Sequence, residues 1–426
     1  MSQNNFIKTL MNIQEENLQF SNDCIFIKKK DITIKRLHAT LNSENFHLCP
    51  FCNSAHIVRN GWKTSYIRFL KFQQYPIEIA LKKQRFLCKE CKHTFMQDTT
   101  FVKRNSSISK SIKISILLKL KDKISLKDIA KEHNVSITTV QRIMNEGYRD
   151  LTIPKKTLPK VLCFDEFKST KNSTGAMSFI FMDGINRKII DIVENRQLYS
   201  LENYFSKFSY SARKNVEYIV IDMYSPYMAL IKNYFPNAKI VIDRFHIVQL
   251  VNRALNKTRI DTMNSFKTTE PTIYRKYKKE WKLFLYDSLK LAHKRVYCRS
   301  FRYFISQNEK VDYLLKRSEI LEKDYDIYQG LLYSIEKNDF TSFFNQINRD
   351  FNKVSKHMKI ALKTLKKYKE FIINTLETTY NNGVIEGTNN LIKCIKRISF
   401  GYRCFSNFRK RIMIIKGLID INNEII

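Results

Sequence analysis

Two short apolar runs, Val161-Leu-Cys-Phe-Asp165 and Tyr218-Ile-Val-Ile-Asp222, each break off at a carboxylate, and a third acid, Glu386, follows far downstream inside Asn381-Asn-Gly-Val-Ile-Glu-Gly-Thr-Asn-Asn390. Short apolar runs ended by a charge read as strands. If the two strands lie side by side, their terminal acids approach closely, and both resist ionising together without a counter-charge. Mg²⁺ or Mn²⁺ ions supply it, and a carboxylate arriving from a helix completes a hard-oxygen site that keeps positions for water and phosphate. Glu166 competes with Asp165: alternation puts Asp165 with Val161 and Cys163, and Glu166 with Leu162 and Phe164, so periodicity leaves both open. An Asp at a strand end also serves in turns and caps, so it is the pair on neighbouring strands that favours a metal site.

The text around these acids predicts an α/β fold. After a basic linker, Pro154-Lys-Lys-Thr-Leu-Pro159, the stretches Val161 to Phe167, Met177 to Met182 and Lys188 to Glu194 are separated by turn signals, which implies an antiparallel meander. A helix over about 200–208, strand Tyr218 to Asp222, helix Pro226 to Tyr234 and strand Lys239 to Ile242 then imply parallel additions. This is a mixed sheet of the ribonuclease-H kind over 160–250, with its first and fourth strands adjacent. Residues 251–378 are charged and poor in Gly and Pro, and read as an α-helical insertion. Its segments Tyr274-Arg-Lys-Tyr-Lys-Lys279 and Arg299-Ser-Phe-Arg-Tyr303 suit a DNA backbone, although such rings are ordinarily core. Residues 379–426 complete the core and carry Glu386. On a helix beginning near Val384, Glu386, Asn389, Asn390 and Lys393 share a polar face, while Ile385, Thr388, Ile392 and Ile395 turn towards the sheet.

The N-terminal part reads differently. Residues 1–45 are polar, a short helix and linker. Over 46–100, Cys49-Pro-Phe-Cys52 and Cys88-Lys-Glu-Cys91 flank strand-like sequence, and two thiolate pairs on tight turns are what tetrahedral Zn²⁺ requires. The long gap favours a structural zinc ribbon with an extended hairpin; His47, His56 and His93 lie near enough to replace a cysteine. Over 106–150, Ile108, Ile112, Ile116 and Leu120 mark one helix face, and Ser125 and Ser136 can cap two more helices across the turn Asn134-Val135. That is a helix-turn-helix, with Ser136, Thr138, Thr139, Gln141 and Arg142 as its groove-facing set; a plain helical hairpin is the rival reading.

The formal charge of +35, with a pI near 9.7, points to a polyanionic partner. No run of 18 apolar residues and no apolar N-terminal signal core occurs, which predicts a soluble, cytoplasmic, nucleoid-associated protein rather than a membrane one. Nine cysteines, four of them in the two pairs, fit metal binding in a reducing compartment better than a disulfide framework.

Phe164-Asp-Glu-Phe167, Ile221-Asp-Met-Tyr-Ser-Pro-Tyr227, Ile242-Asp-Arg-Phe-His246, Asn382-Gly-Val-Ile-Glu-Gly-Thr-Asn-Asn390 and Phe400-Gly-Tyr-Arg403 resemble the bacterial insertion-sequence transposases of the ISL3 family. The ribbon and helix-turn-helix stand where that family has them, so the resemblance covers nearly the whole chain. It implies a DDE transposase with Asp165, Asp222 and Glu386 as the catalytic, metal-binding triad and two Mg²⁺ or Mn²⁺ ions. Asp243 and His246 would support that site, and Asn389, Lys393 and Arg403 would contact DNA. It further implies double-stranded DNA partners (terminal inverted repeats, flanking and target DNA) and at least a dimer on DNA. The rivals are a structure-selective nuclease of the same fold and a transposase-derived DNA-binding regulator or inactive copy. A relaxase is disfavoured because none of the eight histidines forms a His-x-His pair.

Overall fold

The computed structural model describes residues 3–29, 32–42, 48–349 and 352–422. The chain divides into two compact units, one of residues 1–152, 170–172 and 391–426, the other of residues 153–169 and 173–390.

In the first unit, α1 (Gln3–Leu10) precedes β1 (Leu18–Lys29) and β2 (Ile32–Leu41), followed by the long hairpin β3 (Ile57–Phe72) and β4 (Tyr75–Cys88) and the short β5 (Thr94–Met96). The sheet order is β1-β2-β4-β3, with β5 on β4. Residues 18–29 and 32–41, expected as linker, are therefore sheet: Leu18, Ala39 and Leu41 are buried with Ile67, Ile79 and Leu81, an apolar set the polar residues between them obscure in the sequence. Gln73 and Gln74 both adopt left-handed backbone (φ 49° and 69°) at the tip of the β3–β4 hairpin, as a two-residue turn matched to strand twist requires. Three helices follow, α2 (Lys110–Lys119), α3 (Leu126–Glu132) and α4 (Ile137–Gly147). Ser125 and Ser136 cap the last two by accepting from the backbone N–H of Asp128 and Thr139, and Asn134 (φ 51°) makes the turn between them. Ile112, Ile116, Leu120, Ile129, Val140 and Met144 are essentially sequestered.

The second unit is built on β6 (Val161–Lys168), β7 (Met177–Asp183) and β8 (Ile189–Val193), then α5 (Leu198–Phe205), α6 (Tyr210–Lys214), β9 (Tyr218–Ile221), α7 (Ser225–Tyr234) and β10 (Lys239–Ile242). Its sheet runs β10-β9-β6-β7-β8. The meander is antiparallel, and β9 pairs parallel with β6, Val161 opposite Tyr218 and Cys163 opposite Val220. The fold is thus the ribonuclease-H-like mixed sheet. Leu162 and Phe164 of β6 enter the core, where the Phe164 ring meets Phe179 at 5.0 Å and Phe205 at 5.7 Å.

The insertion begins with α8 (Arg244–Thr269), directly after β10, and continues through α9 (Pro271–Lys279), a hairpin of β11 (Val296–Cys298) and β12 (Tyr303–Ile305), α10 (Gln307–Leu315), α11 (Glu319–Lys337), α12 (Phe340–Asn348), α13 (Lys356–Lys367) and α14 (Lys369–Glu377). It is not wholly helical: the β-favouring Val296, Tyr297, Tyr303 and Phe304 pair as strands around Arg302, whose φ is 65°. α14 covers the edge strand β10, where the Ile242 N–H donates to Thr375 Oγ1 at 2.9 Å and Asn374 donates to the Ile240 carbonyl at 2.9 Å. This satisfies backbone groups that an open edge would leave unpaired. Finally come α15 (Gly383–Ile398), whose later residues count with the first unit, and α16 (Phe405–Ile415) in that unit. Arg411 of α16 is almost fully buried and donates to the carbonyls of Leu120, Asp122 and Ile124, capping the end of α2.

Candidate active site and DNA-binding modules

Asp165 lies on β6, and Asp222 follows the last residue of the adjacent β9. Asp165 and Glu166 part ways. Glu166 pairs with Arg196 and accepts from the Tyr227 hydroxyl at 2.8 Å, whereas Asp165 accepts from the Glu166 N–H at 2.7 Å and from the Asn389 amide of α15, also at 2.7 Å. Burial pushes the Asp165 carboxyl up to about 7, opposed by the Glu166 N–H and reinforced by the Asp222 charge. Asp222 Oδ1 lies 2.7 Å from His246 Nε2. That hydrogen bond raises the imidazole above its ordinary value, against burial.

The start of α15 is held against β6. Asn382 donates to the Phe164 carbonyl at 3.2 Å, and its backbone N–H bonds the buried Asp243, whose carboxyl burial nonetheless raises. The Asp243 N–H in turn donates to the Ile221 carbonyl at 3.0 Å. The two residues of Asp243-Arg-Phe-His246 expected as supports thus touch different partners: His246 holds Asp222, and Asp243 ties β9 to the beginning of α15. Glu386 is exposed in the first turn of α15, one turn before Asn389. Among the described residues, Asp165, Asp222 and Glu386 are not brought together to the point where one oxygen from each lies within 4.8 Å of the others, as the four thiol sulfurs below are.

Asn389 departs from expectation. Assigned to a DNA-facing surface, it is 7% exposed and donates to Asp165. A helical wheel separates polar from apolar but does not distinguish solvent from a buried carboxylate. Its amide oxygen and that of Asn382 are buried without a hydrogen-bond partner among the described residues. Ile385, Thr388, Ile392 and Ile395 are buried, and Asn390, Lys393 and Arg403 are exposed. Phe400-Gly-Tyr-Arg403 ends α15: Phe400 (φ 53°) and Gly401 (φ 94°) turn left-handed, and the Gly401 N–H returns to the Lys396 carbonyl at 2.9 Å.

In the first unit, Cys49 and Cys91 sulfurs lie 3.6 Å apart, as do those of Cys52 and Cys88, and all four fall within 4.8 Å of one another. Zn–S bonds of about 2.3 Å in a tetrahedron place sulfurs about 3.8 Å apart, so the cluster fits Zn²⁺ and is far too wide for disulfides. Asn53 and Lys92 adopt left-handed backbone in the two matching turns, where the Asn53 N–H returns to Cys49 and the Lys92 N–H to Cys88. Backbone N–H donors lower the Cys88 thiol to about 6. His56 instead pairs with Glu90 at 2.7 Å and His93 stacks on Phe51, while His47 lies outside the described residues. Of the groove-facing set, Ser136, Thr138 and Arg142 are exposed and Thr139 and Gln141 half-buried; the Ser136 hydroxyl also bonds those of Thr138 and Thr139, and Arg142 pairs with Glu146 at 3.3 Å. Among the described residues, no helix is long and apolar enough to cross a membrane.

The transposase family profile of the ISL3 DDE domain matches residues 162–412. The zinc finger of transposases IS204, IS1001, IS1096 and IS1165 matches residues 46–91, and the helix-turn-helix domain of transposase family ISL3 matches 97–148. The transposase for insertion sequence element IS1001 of Bordetella parapertussis is 22% identical over 364 residues, covering 84% of this chain and 85% of that one. A Lactococcus lactis subsp. lactis protein named ATP-dependent protease is 37% identical over 113 residues, which span 26% of this chain and 36% of that protein's length. A match across more than half of the sequence, preceded in order by zinc-binding and DNA-binding modules of the same kind of transposase, leads to one assignment: this chain belongs to the ISL3 family of transposases.

Proposed function

We propose that the protein binds the terminal inverted repeats of an insertion sequence and catalyses metal-dependent strand cleavage and strand transfer, with Asp165, Asp222 and Glu386 as its catalytic acids. The observation that carries this reading is the parallel pairing of β6 with β9, which brings Asp165 and Asp222 to neighbouring strands. α15 is pinned to the same strand by Asn382 and Asn389. Two features favour a divalent cation beside Asp165, although the three acids are not gathered within 4.8 Å: a carboxylate raised by burial and by a like charge gains from a cation, and the unpartnered Asn389 amide oxygen offers a further hard donor or a water acceptor. Asp165, Asp222 and Glu386 would hold Mg²⁺ or Mn²⁺, which when bound neutralises phosphate charge and lowers the pKa of coordinated water. Asn389 fixes the rotamer of Asp165, His246 that of Asp222, and Asp243 the first turn of α15 that carries Glu386.

The helix-turn-helix, through Ser136, Thr138, Thr139, Gln141 and Arg142, would read the repeats, with the zinc ribbon beside it in sequence. Lys393 and Arg403 would hold DNA near the cut strand, and the remaining positive charge would hold flanking and target DNA. Joining two ends in one complex calls for at least a dimer on DNA. The test is cleavage and strand transfer on a plasmid carrying the repeats that flank the gene, with Mg²⁺ or Mn²⁺, for wild type against Glu386→Gln. Metal-dependent 3′-OH ends that vanish in the variant are expected. Tight repeat binding without cutting by either protein, in confirmed complexes, would instead mean a regulator or an inactive copy.

A further inference from the structure

The β11–β12 hairpin interrupts the helical insertion with features its neighbours lack. Cys298, Phe301 and Ile305 form its own small buried cluster, and Lys276 lies over the Phe301 ring at 4.4 Å, so one side is anchored. On the other, Tyr297 and Phe304 sit directly opposite in register, with ring centroids 5.7 Å apart, and are 57% and 66% exposed. Cross-strand aromatic pairs normally serve to bury surface; this one leaves its rings in solvent. The segment from Ala292 to Ile305 contains Lys294, Arg295, Arg299 and Arg302 and no acid. Arg295 is paired with Glu309, whereas among the described residues no acid pairs with Lys294, Arg299 or Arg302, all exposed.

We propose that this hairpin is a single-strand contact, in which Tyr297 and Phe304 stack on an unpaired base of DNA while Lys294, Arg299 and Arg302 take the adjacent phosphates. Charge complementarity commits the surface to a polyanion, and exposed rings flanked by cations select an unstacked base over a closed duplex, whose faces are already covered. The inference rests on the DNA-binding part of the proposed function.

The full-length protein is titrated with a single-stranded oligonucleotide carrying 2-aminopurine and with the fully paired duplex of the same sequence. Wild type should bind the single strand and quench the probe. Tyr297→Ala with Phe304→Ala should weaken single-strand binding about tenfold or more and abolish quenching, leaving duplex affinity unchanged. Tyr297→Phe should retain both. Arg299→Gln with Arg302→Gln should flatten the salt dependence of single-strand binding by about 1.4 log units per log unit of salt. The proposal is overturned if the double alanine variant binds and quenches like wild type, if it loses single-strand and duplex binding equally, or if wild type binds duplex alone. A protein that cuts no repeat DNA yet shows ring-dependent quenching would retain this contact while losing the transposition reading.

Discussion

Asn389→Ala separates two roles that one polar helix face can play. In the structure the amide donates to Asp165 at 2.7 Å in a buried setting, and its oxygen has no partner among the described residues. A hydrogen bond to a charged group of this kind is worth roughly 1.5–3 kcal/mol. If all of it is expressed in the transition state, cleavage within assembled complexes should slow by about 10- to 150-fold. Alanine removes the already unpartnered amide oxygen and takes the donor from Asp165 Oδ2, while the Glu166 N–H still holds Oδ1, so the fold should persist. Binding of repeat DNA, by contrast, should keep both its affinity and its salt slope. The assay measures single-turnover 3′-OH release at saturating protein and, separately, the binding constant across a salt series. A variant that binds more weakly, with a slope reduced by about 0.9, but cuts normally once bound would refute the reasoning: Asn389 would then be a phosphate contact.

Chelation or Cys88→Ser should release one Zn²⁺ per chain, read by native mass spectrometry, and raise hydrogen exchange over 49–96, because metal binding of about 10 kcal/mol or more is folding energy for so small a cluster. Retained zinc in Cys88→Ser would exclude the four-thiol site. Arg411→Met should destabilise the first unit by about 3 kcal/mol or more in denaturant melts, since it strips charge-assisted donors from three carbonyls at and beyond the end of α2. Glu78 is desolvated by the sheet, which alone would raise its carboxyl, yet Lys29 Nζ at 2.9 Å and Arg36 Nε at 2.7 Å bring it below the ordinary value. A depressed carboxyl stabilises the fold above its unfolded pKa and ceases to as pH falls through the folded one. Stability should therefore drop below about pH 4, and Glu78→Gln should remove that part of the pH dependence.

Much of the chain was legible because local patterns there coincide with long-range ones. The meander and the parallel additions follow from apolar runs punctuated by turns, and the helix-turn-helix from Ser125, Ser136 and Asn134, whose capping and left-handed turn need no distant partner. Two thiol pairs on tight turns likewise announce a tetrahedral metal ligand set. β1 and β2 were hidden because their alternation is irregular and because β2, on which β1 pairs, is held by β4, a partner far along the chain. The β11–β12 hairpin was lost inside charged, glycine-poor text that reads as helix.

At the candidate site, sequence alone determined which acids close short apolar runs and which helix positions are apolar, because period and composition are properties of a single segment. Whether Asp165 or Glu166 faces α15, and that Asn389 turns inward to a carboxylate, only the tertiary structure decided. The reason is that each depends on what a second segment brings: Arg196 and Tyr227 claim Glu166, and Asp165 is left to meet Asn389 from more than two hundred residues away. Pairing across that separation is set by packing, and no periodicity within either segment encodes it.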